Sequence, residues 1–196
     1  MSNKRKFSIV GYLNGEDKNS IRELQQALTH LTGSRACLDS WDPHVTLGDG
    51  VELDKDELHL LEKKLVDFTK NQTSCTVQLS GFGGLPDRVG GKNEVTTSYV
   101  LWIDVVVNEN LKCVVEEVEK SITSKFELWY KMPRPYTPHV TVAFRDLSEE
   151  GYKTGQVYLA EQKYDRNVKI DHIALVEKFP EQDIEYTRFN FLKSNL

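Results

Sequence analysis

The chain has 196 residues, 39% hydrophobic and 28% charged, enough apolar content to bury a sizeable core as one domain or two closely packed lobes. Its formal net charge of −5 excludes a large sequence-blind grip on nucleic acid, which needs many Lys and Arg contacts to phosphate, but allows a small phosphate-bearing substrate in a local pocket. Apolar runs such as 173–176 fall far short of the roughly 20 residues that span a bilayer. No apolar stretch of signal-peptide length follows the basic start, and Cys37, Cys75 and Cys113 form no CxxC pair, so a cytoplasmic protein with reduced thiols is expected.

In chain order, Phe7 to Leu13 alternates without a helical period and predicts a strand. Ser20 with Glu23 reads as a capping box opening a helix whose apolar face is Ile21, Leu24, Leu28 and Leu31, closed by Gly33. The segment His44 to Leu47 is the next strand, and Asp54 with Glu57 opens a second helix carrying Leu58, Leu61, Leu65 and Phe68. Cys75 to Leu79 reads as a strand. Gly81 to Gly91 is rich in glycine and holds Pro86, so a loop joining two halves is expected there.

The second half replays that order. Tyr99 to Val107 is a strong strand, and a helix carrying Leu111, Val114, Val115, Val118 and Ile122 follows, then a strand at His139. Ser148 opens a further helical segment weakened by Gly151 and Gly155, and Lys169 to Val176 and Tyr186 to Phe191 read as closing strands. The fold class expected is α+β: one bilobal domain over 1–196 with pseudo-two-fold duplication, halves at about 1–85 and 97–182, and a closing strand at 185–192. Two mainly antiparallel sheets would face a central cleft with helices outside.

Within this repeat the chain writes Pro-His-Val-Thr twice, at 43–46 and at 138–141. Side chains alternate across a strand, so His44 and Thr46 share one face and Val45 and Leu47 the other, as do His139 and Thr141 against Val140 and Val142. Each motif thus offers an imidazole beside a hydroxyl, entered through a proline that favours extended backbone. Facing each other, the two pairs would hold one small anion, which suits a phosphodiester. With an ordinary pKa near 6.5, one ring can be neutral and take a proton while the other, protonated, gives one. The threonine hydroxyls would bind the non-bridging oxygens.

With both Pro-His-Val-Thr motifs, the first strand FSIVGYL and the YVLWIDV strand, the chain resembles the two-histidine phosphoesterase superfamily, most nearly its RNA 2′,5′-ligase-like and cyclic phosphodiesterase group. The resemblance implies a bilobal fold and acid/base work by His44 and His139, with phosphate binding by Thr46 and Thr141 and neither metal nor cofactor. It also implies hydrolysis of 2′,3′-cyclic nucleotide phosphates or cleavage of 2′,5′-linked oligonucleotides, with RNA end joining or non-catalytic nucleotide or RNA binding as alternatives. Ligase-like members often place an arginine where this chain has Phe144. Here Arg145 comes one residue later, which in a continuing strand is the opposite face.

Trp41 and Tyr136 each stand three residues before a motif histidine and are candidates to stack a nucleobase, while Lys131 and Arg134 could steer a phosphate. His30, His59 and His172 repeat in no metal-ligand spacing and are expected to be structural or exposed. The expected partners are a small nucleotide or a short RNA, met by a monomer without membrane contact.

Overall fold

The computed structural model describes residues 4–40, 42–88, 98–179 and 182–192. The first half runs β1 (Arg5–Tyr12), α1 (Gly15–Thr32), α2 (Ala36–Ser40), β2 (His44–Leu53), α3 (Lys55–Thr69) and β3 (Cys75–Arg88). The second runs β4 (Ser98–Val106), α4 (Glu109–Glu117), a π-helical turn (Val118–Ile122) and a 3-10 turn (Thr123–Lys125), then β5 (Glu127–Tyr130), β6 (His139–Ala143), α5 (Glu149–Ala160), β7 (Asp165–Ile170), β8 (His172–Lys178) and β9 (Asp183–Asn190).

Two antiparallel sheets result, one in the order β5-β2-β1-β8-β9 and the other β6-β4-β3-β7. The run β2-β1-β8-β9 matches β6-β4-β3-β7 position for position, and the registers agree. Tyr12 lies opposite His44 as Asp104 lies opposite His139. The next amide, Leu13 N–H, donates to the Pro43 carbonyl at 3.0 Å, as Val105 N–H donates to that of Pro138 at 3.2 Å.

The halves of the sequence are not the halves of the fold. Strand β3 follows the first motif but pairs with β4 in the second sheet, and β8 follows the second motif but pairs with β1 in the first. Helices cross over too: α1 packs on β6, and the turn after α4 packs on β2, where Val118 lies against Gly48. One core cluster therefore joins both sheets, with Ile9, Leu47, Ile103 and Val140 all fully buried within it.

Local signals in the sequence are realised unevenly. The Asp54/Glu57 box forms in full, the Asp54 side chain accepting from Glu57 N–H at 2.9 Å while Glu57 accepts from Asp54 N–H at 2.9 Å. Helix α1 ends as expected on left-handed Gly33 but begins at Gly15 behind Asn14, ahead of Ser20; Glu16 and Asp17 in its first turn suit the positive end of the helix dipole. The expected loop from Gly81 is strand as far as Arg88, and 89–97 lie outside the described residues.

The glycines of β3 serve the pairing with β4. Gly81, at φ 83°, sits in the register shift between Leu79 and Phe82, and Gly83 lies flat under Trp102, where a Cβ would come within 2.5 Å of the indole Nε1. Gly155 in α5 likewise admits Leu101, whose Cδ1 would be 2.5 Å from a Cβ there, so this glycine secures close packing on the sheet. The expected strand from Lys169 to Val176 is two strands in different sheets, divided at Asp171. Strand β5 and helix α2 have no counterpart among the predicted elements, and β2 continues beyond Leu47 to Leu53. Among the described residues no helix is long and apolar enough to cross a membrane.

Candidate active site

Both motifs open their strands, and burial alternates as the pleat requires: Val45, Leu47, Val140 and Val142 are buried, while His44, Thr46, His139 and Thr141 are partly buried. Strands β2 and β6 touch where the sheets meet, and His44 lies close enough to His139 to feel its charge. The two His/Thr pairs are thus brought to one place.

Each ring is fixed in the same way. Nδ1 of His44 lies 2.7 Å from the carbonyl oxygen of Asp42, and Nδ1 of His139 lies 2.9 Å from that of Thr137. A carbonyl only accepts, so Nδ1 carries the proton, and in the neutral ring Nε2 is the basic nitrogen. Two imidazoles with Nε2 as their proton-transfer atom, each with a hydroxyl two residues on, can bind an anion and move protons to and from it.

The loop ahead of the first motif is held by α1. Arg22 of α1 donates to the Asp42 carboxylate at 2.7 Å and to the Leu38 carbonyl at 2.6 Å, and Lys18 reaches the other Asp42 oxygen at 2.8 Å. Burial works against charge on Asp42, but these hydrogen bonds outweigh it and hold its carboxyl below the usual range. One turn further along α1, Gln25 donates to the Thr141 carbonyl at 3.4 Å. In return, the Tyr136 hydroxyl donates to the Thr46 carbonyl at 2.7 Å. Each motif strand is tied to an element from the other half.

The surroundings then diverge. His44 has Tyr12 edge-on at 5.9 Å between ring centroids. Burial pulls its pKa down to about 4, with the Asp42 carbonyl and Asp183 opposing and the charges of Lys178 and His139 adding to the fall. Lys178 of β8 and Arg145 both pair with Asp183 of β9, whose side chain is only 7% exposed. Arg145 gets there because β6 ends at Ala143 and the chain turns left-handed at Arg145, φ 65°; alternation of strand faces does not extend to it. His139 instead has Trp102 tilted beside it, 5.0 Å between centroids, and the indole N–H donates to Asp104 at 2.7 Å.

Of the other candidates, Trp41 lies outside the described residues. Tyr136 packs against the core through its ring, Lys131 is exposed, and Arg134 is paired with Glu119. His30 lies in the last turn of α1, and His59 is exposed on α3 beside Glu62. His172 is buried, its Nδ1 2.7 Å from Asp171 Oδ1. The three cysteines are free thiols, and burial pushes that of Cys37 up to about 12. Sequence reasoning missed Tyr12, Trp102, Asp104, Lys178 and Asp183. For Trp102 and Asp104 a signal existed: they stand two apart, on one face of a strand that is otherwise aliphatic from Val100 to Val106.

No protein-family model and no curated protein matches the chain. Solved structures do. Escherichia coli LigT, crystallised with 3′-AMP, aligns over 96% of this chain and 99% of its own at TM-score 0.64 and 15% identity. A structure described as a phosphoesterase aligns with the same coverage, score and identity. TT0787 of Thermus thermophilus aligns over 97% and 100% at TM-score 0.58 and 18% identity. From end to end, the chain has the fold of these proteins, the α+β architecture of two sheets that the resemblance to the two-histidine phosphoesterases implies.

Proposed function

We propose that the protein is a phosphodiesterase of the two-histidine kind, with His44 as general base and His139 as general acid. The observation that carries this is the duplicated anchoring of Nδ1 to a carbonyl two residues earlier, on two strands that meet. The depressed pKa of His44 makes it the neutral ring at neutral pH, hence the proton acceptor. The proton donor then falls to His139, whose ladder partner is the carboxylate of Asp104, a neighbour that suits a ring carrying positive charge.

The attacking oxygen forms its bond to phosphorus as its proton passes to His44 Nε2, and the bond to the leaving oxygen breaks as that oxygen takes a proton from His139 Nε2. In a 2′,3′-cyclic nucleotide the attacking group is water and the leaving oxygen is a ribose oxygen. In a 2′,5′-linked oligonucleotide it is the neighbouring 3′-hydroxyl, and the products are a cyclic phosphate and a free 5′-hydroxyl. Thr46 and Thr141 bind the non-bridging oxygens, and no step calls on a metal or cofactor. LigT, of the same fold, has been crystallised with 3′-AMP, NADP+, ATP and phosphate, which supports a phosphate-bearing nucleotide or short RNA as substrate. We take the working form to be a cytoplasmic monomer.

The test is incubation, with chelator present, with 2′,3′-cyclic mononucleotides and with 2′,5′- and 3′,5′-linked oligoadenylates, beside His139→Ala. Chelator-resistant turnover lost in the variant is the expected result; turnover equal in the variant would overturn the mechanism.

A further inference from the structure

The duplication is broken at one position beside the two threonines. In the first sheet the residue opposite Thr46 is Val10, which is 2% exposed and sealed into a small cluster with Tyr12, Ala174 and Val176. In the second sheet the residue opposite Thr141 is Trp102. Ladder partners project to the same face, so the indole stands on the face that carries His139 and Thr141, and it is half-exposed there. Three features hold it still: the Gly83 backbone lies against its Nε1 edge, where a Cβ would be 2.5 to 2.8 Å from ring atoms; its N–H is bound to Asp104 at 2.7 Å; and His139 leans on it at 5.0 Å.

An aromatic ring already ordered before a ligand arrives loses little freedom on binding, and any base can stack on it. We infer that Trp102 is a specificity-determining residue that stacks the nucleobase attached to the leaving oxygen. This rests on the assignment of His139 as the acid, since the group next to the acid is the one that departs. In a 2′,5′-linked oligonucleotide that base belongs to the nucleoside that departs, whereas in a 2′,3′-cyclic mononucleotide it belongs to the ribose whose oxygen is released, so the platform serves the leaving side in either class. The first half, with Val10 in the corresponding place, offers the attacking side no such platform. The contribution of stacking is read with a diester whose leaving nucleoside can be replaced.

The experiment compares kcat/KM for two diesters with the same attacking nucleoside, 2′,5′-linked diadenosine monophosphate and adenosine 2′-(methyl phosphate), in the native protein, Trp102→Ala and Trp102→Phe. Stacking predicts that the native protein prefers the dinucleoside by about 10- to 100-fold beyond the two esters' intrinsic reactivity ratio. Trp102→Ala removes that excess while lowering the methyl ester rate by less than about 3-fold, and Trp102→Phe, which keeps a ring but loses the N–H to Asp104, keeps most of it. Equal losses on both esters in Trp102→Ala would overturn the inference, because the indole would then only seat His139. An excess that survives in Trp102→Ala would overturn it by placing the base elsewhere. Turnover of both esters by the native protein with no excess keeps the acid/base reading and removes Trp102 from substrate binding; turnover of neither overturns the inference as well, and the 2′,3′-cyclic mononucleotide assay then tells whether the acid/base reading fails with it.

Discussion

The two Pro-His-Val-Thr strands share sequence, register and ring anchoring, yet their neighbourhoods differ in kind. Around His44 lie Tyr12, the Lys178–Asp183–Arg145 cluster and enough burial to suppress protonation. Around His139 lie an indole and a carboxylate. Repetition supplies two identically anchored imidazoles; under the proposed mechanism, the strands on which they do not lie supply the difference by which one would take a proton and the other give one. A symmetric pair would have no reason to choose.

Removing either ring is the strongest way to probe this. His44→Ala and His139→Ala should each cut turnover by about 10²- to 10⁴-fold with the folded circular dichroism spectrum retained. The comparison sharpens with an ester whose leaving group is p-nitrophenolate, which departs without a proton: it should restore most of the rate to His139→Ala and little to His44→Ala. Equal rescue of both would mean that the two rings are interchangeable.

Arg22→Ala tests the support of one side. It frees the Asp42 loop that holds His44 Nδ1 while His139 keeps its own carbonyl, and a misplaced base should cost about 10-fold or more in kcat. The measurement is kcat on the methyl and p-nitrophenyl esters, and the deficit should persist with the activated leaving group because it concerns the base.

The pH profile follows from the depressed pKa of His44. The base must be neutral, so the acid limb of kcat/KM should extend below the ordinary histidine value near 6.5 toward about 4. Stability carries the same sign. Between those values the unfolded chain binds a proton that the folded ring refuses, so stability falls as pH drops from about 6.5 to about 4 and changes no further below that on this ring's account. In His44→Gln that part of the slope should vanish from urea titrations.

The smallest effect expected is from Gly83→Ala, whose methyl meets the indole edge at 2.5 Å. A loss of about 1 to 3 kcal/mol is the usual cost of such overpacking, and the Trp102 fluorescence should shift with it. The first motif should be undisturbed, as seen in an unchanged acid limb.

Much of this is legible in the sequence, and what is missing shares a cause. The motif strands, the Asp54/Glu57 box and the apolar faces of α3 and α4 are local patterns, and each appears where the pattern lies. Partner choice is not local. Nothing in the residues of β3 or β8 says that each joins the sheet of the other half, because periodicity fixes which face is apolar and not which edge pairs. The glycines of β3 imitate a loop because close approach to Trp102 and a turn demand the same residue. Face alternation misplaces Arg145 because β6 does not continue to it: a left-handed residue after Ala143 turns the chain. The Lys178–Asp183 pair closes a hairpin that hydropathy alone does not register.

The exchange of β3 and β8 also governs how the protein can move. A cut between the two motifs would strip a strand from its neighbours, so the described residues form no waist about which two bodies could swing. The imidazoles ride on one continuous core, and their separation is as stiff as that core. A ligand held between the two imidazoles must therefore fit a spacing set before it arrives, because the fold has no swing of halves with which to adjust it.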